Sequence, residues 1–220
     1  LAALVEGVAR YALPLPISEM CGVIPALFAG TRSAANTRFA QLVAAGEYRV
    51  APILKFAGLE CRREGRALVV NGTAQGLDVT GDPTHFALVA RTAGSQLRGI
   101  VLIPGMAEGL RKTGFEGMDG RRTIDVKAEN CRLEAAVLIE SDGTADEMLE
   151  RALLVGSALS CVTAVSAIGA LLEETIRYLG VRVQFGKPLS EFQVLRHKVV
   201  EIYVGYENLK ALVTALVNEA

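Results

Sequence analysis

Arg182-Val183-Gln184-Phe185-Gly186-Lys187-Pro188-Leu189-Ser190-Glu191-Phe192-Gln193 (RVQFGKPLSEFQ) interrupts the helical second half of a 220-residue chain and decides how that half folds. Gly186 followed by Pro188 breaks a helix, because proline lacks an amide donor and restricts the residue before it. Ser190 with Gln193 three residues on reads as a capping box that opens the next helix. Along that helix Phe192, Leu195, Val199, Ile202, Tyr206, Leu209, Val213 and Leu216 fall at alternating spacings of three and four. Such a seam is what a left-handed bundle requires, so the helix needs a partner helix. Upstream, Thr144 with Glu147 gives the same capping signal and predicts a long helix running through Leu153–Leu172.

The break also gathers chemistry: a guanidinium, two amides and two aromatic rings around one tight turn. Arginine grips phosphate through two parallel hydrogen bonds, and a helix start offers free amides and a positive dipole end. An anionic aromatic ligand such as a dinucleotide suits that set. The same residues also read as a polar interhelix turn with Phe185 and Phe192 as core plugs, and residue types alone leave both readings open.

The stretch Ala152 to Leu172 carries no charge and is long enough to cross a bilayer. It contains Gly156, Ser157, Ser160, Thr163, Ser166 and Gly169, and no aromatic belt or strong basic cluster flanks it. We read it as a buried helix and expect no membrane span.

Before the helices, from Glu47 to about Ile139, the period changes to that of strands. Val50–Leu54, Leu59–Arg63, Arg66–Asn71, His85–Arg91, Leu97–Ile103, Gly109–Lys112 and Arg122–Val126 are short apolar or β-branched runs. Glu64-Gly65 and Asn71-Gly72 mark tight turns between them. Leu1–Arg10 and Ser18–Phe28 read as helices around the proline-stiffened Tyr11–Pro16. The expected fold is α+β, mainly α. It has a helical N-terminal remnant (1–46), an antiparallel β-barrel middle domain (47–140) and a C-terminal long-helix bundle (141–220). A start at Leu1 and a stop inside a helical pattern suggest trimming at both ends.

Composition removes several function classes. With 51% hydrophobic and 21% charged residues the chain is not disordered. Lys and Arg number 23 against 24 Asp and Glu, with no basic run, which argues against nucleic acid as a partner. Cys21, Cys61, Cys131 and Cys161 are scattered, and neither His85 nor His197 lies beside one, so no metal site or disulfide framework is expected. Single thiols suit a reducing cytoplasm. No GxSxG, P-loop, GxGxxG or HExxH occurs.

The run RVQFGKPLSEFQVLRHK resembles the helix-turn-helix of flavin-dependent acyl-CoA dehydrogenases, where R-x-Q-F-G-x-P followed by F-Q is a familiar segment. LPLPISE is similar to the proline-bearing link late in that family's N-terminal helical domain. Gly65–Gly72 (GRALVVNG) and Gly117–Thr123 (GMDGRRT) follow the family's order. The resemblance implies FAD as cofactor, with Arg182 at its pyrophosphate and Gln184, Phe185, Phe192 and Gln193 lining the same site. Those contacts commonly reach the flavin of a neighbouring subunit, so a homo-oligomer or a heterotetramer with a related dehydrogenase subunit is implied. The reaction implied is α,β-dehydrogenation of an acyl-CoA thioester in fatty-acid or steroid side-chain β-oxidation. Electron-transfer flavoprotein would be the acceptor.

In one variant of the family the catalytic glutamate lies early in the long helix, just before an arginine. Glu150-Arg151 matches, which makes Glu150 the candidate base and Arg151 a candidate substrate contact. Acidic residues at a helix start are also what the dipole favours. The chain departs from the family where the flavin ring should sit. Ala51–Glu60 and Gly72–Val79 lack the expected Thr and Ser donors and the Trp, and Met148 stands where an aspartate is expected. These departures point to a catalytically degenerate partner subunit, or a purely structural scaffold, as alternatives.

Overall fold

The computed structural model describes residues 1–29, 34–53, 58–65, 67–79, 82–92, 98–133, 137–138 and 145–219. Thr144, and with it the expected capping box, lies outside them. So do Leu54, Arg66 and Leu97, at the ends of expected strands. The chain divides into two compact units, Pro14–Gly156 and Leu1–Leu13 with Ser157–Ala220.

In the first unit a π-helical segment, Ser18–Val23, runs into α2 (Ile24–Phe28), with Pro25 in the first turn of the α-helical part. Helix α3 spans Ala34–Ala44. Eight strands follow: β1 (Val50–Ile53), β2 (Gly58–Glu64), β3 (Ala67–Val79), β4 (His85–Thr92), β5 (Arg98–Pro104), β6 (Leu110–Glu116), β7 (Arg122–Leu133) and β8 (Val137–Leu138). They form one sheet in the order β6-β7-β3-β2-β4-β5-β8, with β1 paired to β4.

The expected antiparallel barrel is corrected in two respects. Among the described residues the sheet does not close, and β4 pairs in parallel with both β1 and β2. Short apolar runs separated by glycine turns specify strands and their faces, but neither closure nor the direction of non-sequential neighbours. One turn expectation also fails. Glu64 pairs with Ala67 around Gly65, a tight turn as expected, whereas Asn71-Gly72 lies inside the 13-residue β3 at a register irregularity against β7.

Strands β4 and β5 explain the continuous apolar runs HFALV and IVLI. Phe86, Leu88, Val101 and Ile103 join Leu59, Val70, Val126 and Cys131 in a core on one face. On the other face Ala87, Val89, Ile100 and Leu102 meet Ile24, Leu27, Phe28, Phe39, Met148, Leu149 and Ala152. A strand buried on both faces loses its polar alternation. Each fully buried large side chain contributes about 1.5–3 kcal/mol. Strand β2 keeps its alternation, with Leu59 and Cys61 inward and Glu60 and Arg62 exposed.

Helix α4 (Ala145–Val181) starts in this unit and continues into the second. Within Asp146–Val181 an 18-residue window has a mean hydropathy of 1.9, so by length and composition the helix could cross a membrane. Of that window 28% is buried, and Gly156 packs closely: a Cβ on it would lie 2.9 Å from Val23 Cγ2. In the second unit α1 (Ala2–Arg10) pairs Arg10 with Glu173 of α4. A two-stranded ribbon, β9 (Val183–Gln184) and β10 (Lys187–Pro188), leads through a 3-10 turn (Leu189–Glu191) to α5 (Gln193–Glu219). Gly169 of α4 admits the Tyr206 ring of α5, whose atoms lie 2.9–3.0 Å from where a Cβ would stand.

The predicted seam on α5 divides. Phe192, Leu195, Val199, Tyr206 and Val213 are half-buried, while Ile202, Leu209 and Leu216 are 49%, 44% and 36% exposed. The half-buried set recurs every seven residues (Phe192, Val199, Tyr206, Val213) and forms one stripe, while Ile202, Leu209 and Leu216, three residues further on, lie to one side of it and stay exposed. Ser190 does not cap α5. It belongs to the 3-10 turn, and within the first turn of α5 the Leu195 and Arg196 amides donate to the Phe192 carbonyl at 3.1 Å.

Candidate cofactor site

The ribbon between the two long helices is built by a two-residue turn. Gln184 pairs with Lys187 and Val183 with Pro188, leaving Phe185 and Gly186 at the turn with φ of +52° and +78°. A turn with both central residues left-handed matches the twist of a hairpin, and glycine takes that conformation without penalty. Phenylalanine does not: a left-handed L-residue costs roughly 1–2 kcal/mol. The arginine end is fixed by its backbone. Arg182 N–H donates to Tyr178 O and its carbonyl accepts from Leu189 N–H, both at 2.9 Å.

The strained turn projects the Phe185 ring outward, 90% exposed, which overturns its reading as a core plug. Phe192 is half-buried and meets Phe185 edge-on, ring centroids 6.1 Å apart at 80°. Lys187 Nζ lies 4.5 Å from the Phe192 centroid on the ring face. Arg182, Gln184 and Gln193 are exposed. The structure thus gathers all five residues expected to meet the cofactor around one ribbon and one helix start. Lys187 of the ribbon joins them.

Glu150 and Arg151 belong to the other compact unit and are described there. Both are exposed on the first turns of α4, whose opposite side buries Met148, Leu149 and Ala152. Arg151 Nη1 donates to the carbonyl of Ala29 at 3.2 Å, tying the helix to the end of α2. Among the described residues no group of three or more His, Cys, Asp or Glu is placed to hold a metal.

Among the described residues of the segments expected beside a flavin ring, two backbone positions offer no free amide. Pro52 has no amide, and the Gly76 amide is already bonded to Asp125 Oδ1 at 2.9 Å. The ribbon, with its exposed guanidinium, exposed ring and helix start, does fit the diphosphate and aromatic parts of a dinucleotide.

Residues 147–220 match the family described as Acyl-CoA dehydrogenase, C-terminal domain. Isovaleryl-CoA dehydrogenase, mitochondrial, of Arabidopsis thaliana is 25% identical over 175 residues, which cover 74% of this chain and 42% of that protein. An acyl-CoA dehydrogenase from Geobacillus kaustophilus superposes with a TM-score of 0.89 at 15% identity, covering 99% of this chain and 62% of that one. A glutaryl-CoA dehydrogenase from Mycobacterium smegmatis, solved in complex with FADH2, superposes at 0.76 with 20% identity, covering 86% and 51%. The chain thus spans 42% to 62% of the length of these three proteins. The family match over residues 147–220, the curated relatives and the fold thus all liken this chain to acyl-CoA dehydrogenases.

Proposed function

We propose that this chain is a subunit of an FAD-dependent acyl-CoA dehydrogenase and that the ribbon Arg182–Lys187 with the start of α5 contacts FAD. The observation that carries this is the strained, 90% exposed Phe185 ring beside the exposed Arg182. A fold keeps an unfavourable backbone with an apolar ring in solvent where a ligand recovers the cost. FAD, when bound, supplies hydride-accepting chemistry toward the β-carbon of an acyl-CoA thioester. Arg182 binds the pyrophosphate, Gln184 and Gln193 donate hydrogen bonds, and Phe185 and Phe192 cover the aromatic system.

Glu150 takes the α-proton. It stands exposed in this unit, on the side of α4 away from the buried Met148, Leu149 and Ala152. Arg151, held to Ala29 O, sets the position of the helix turn that carries Glu150. In this reading electrons pass to electron-transfer flavoprotein and the protein works as an oligomer in the cytoplasm.

Pro52 and the committed Gly76 amide support a second reading. Here the chain is a degenerate partner that completes the FAD site of a catalytic homologue in a heteromeric enzyme and holds no complete ring site of its own. The visible absorption spectrum separates the two. The protein would be purified alone and after co-expression with a dehydrogenase-like neighbour. Flavin bound to the chain alone establishes the self-sufficient enzyme. Flavin seen only with the partner establishes the shared site. No flavin under either condition defeats both.

A further inference from the structure

Lys187 stands out once the described residues are searched for charges without a counter-charge. It is half-buried, and among the described residues no carboxylate pairs with it. Its one described interaction is with the Phe192 ring, 4.5 Å away. Lys112, Lys127 and Lys198 pair with Asp82, Glu129 and Glu201, and Lys210, which also lies over a ring, that of Tyr206, is exposed where Lys187 is half-buried. A half-buried ammonium beside an aromatic face, with no anion of its own, is poised for an external one.

The ribbon says where that anion lies. Residues directly opposite in an antiparallel pair project to the same face, as do residues two apart on one strand. Gln184 is opposite Lys187, and Arg182 lies two residues before Gln184, its carbonyl extending the ladder to Leu189. Arg182, Gln184 and Lys187 therefore share one face of the ribbon, a guanidinium and an ammonium with an amide between them, and Val183 and Pro188 share the other.

We propose that Lys187 is the second cation of this site, holding Phe192 by its ring face while it meets a phosphate of the dinucleotide bound by Arg182. The inference rests on the FAD-binding reading above and adds a residue to it. The two cations then flank the diphosphate, and the ammonium keeps Phe192 square to the Phe185 edge.

The test uses the complete assembly, stripped of flavin and titrated with FAD, following quenching of flavin fluorescence at several salt concentrations. Lys187→Met keeps the stem and removes the charge; Lys187→Arg keeps both charge and ring contact. The expected result is FAD binding weakened about tenfold in Lys187→Met, within the range of one lost charge-and-ring contact, and near the original in Lys187→Arg. Affinity should also fall less steeply with salt in Lys187→Met, because one screened charge pair is gone. A packing role alone would lower the melting temperature and the affinity together and leave the salt dependence intact, which would overturn the proposal. So would unchanged FAD affinity in Lys187→Met. If the unmodified assembly takes up no FAD, the cofactor reading itself fails, and this inference falls with it.

Discussion

Gly72 and Gly58 meet backbone to backbone: a Cβ on Gly72 would lie 2.0 Å from the Gly58 carbonyl oxygen, at a φ of +127°. Both the close approach and the backbone region exclude any other residue. Gly72→Ala should therefore cost about 3 kcal/mol or more, pushing β2 off β3. Gly76, at φ +67° with open space around its Cβ direction, is the internal control. Gly76→Ala meets only the backbone penalty, about 1 kcal/mol. Chemical denaturation of both variants measures the difference, and equal losses would show that the β2–β3 approach is not as described.

Gly72 also shows what the sequence leaves open. Asn-Gly is a strong hairpin signal, yet here it sits within a long strand, because a glycine demanded by a neighbouring backbone looks the same as one demanded by a turn. Strand existence was legible from β-branched runs, and β4 and β5 from their unbroken apolar character. Closure was not legible, nor was the parallel pairing of β2 with β4, since neither leaves a mark on local pattern. At the candidate site, RVQFG was readable as a helix break with phosphate-binding chemistry. That Phe185 faces solvent could not be read, since a phenylalanine beside a glycine suggests a core plug until its φ is known. Lys187 was hidden for a related reason: a missing counter-charge is a property of space, not of sequence.

Phe185 carries a cost that substitution can release. Asparagine and glycine accept the left-handed region, so Phe185→Asn or Phe185→Gly should raise stability by about 1 kcal/mol and lift the melting temperature. Both should weaken FAD binding by roughly tenfold, the scale of one lost aromatic contact. Phe185→Ala keeps the strain and loses the ring, and should weaken FAD without the stability gain. Thermal melts paired with FAD titrations test this. A ring that adds nothing to FAD affinity would mean that the strain has no cofactor role.

Glu150 sits on a helix face that carries no core residue, so Glu150→Gln should fold and assemble like the original. If Glu150 is the base, kcat on the acyl-CoA substrate falls by at least about 100-fold while flavin content is unchanged. Turnover and the visible spectrum, measured on one preparation, decide it. Unaltered turnover would remove Glu150 from the chemistry and leave it as a helix-start acid favoured by the dipole.

His85 gives the fold a defined pH response. Its ring packs between Phe39, centroids 5.2 Å apart at 87°, and Tyr48, 4.2 Å apart, with Thr84 Oγ1 3.0 Å from Nδ1. Burial there disfavours the imidazolium and lowers the pKa below its ordinary value of 6.5. Above pH 6.5 the ring is neutral in both folded and unfolded chains, and the contribution of this packing is complete. As pH falls through 6.5 toward the lowered folded value, the unfolded chain takes up the proton first and stability drops, with a slope no steeper than one proton allows. His85→Phe keeps a ring in the cluster and cannot titrate, so its melting temperature should fall less between about pH 7 and pH 5. Parallel pH profiles of the two proteins in that interval would reject the assignment and place the titrating group elsewhere.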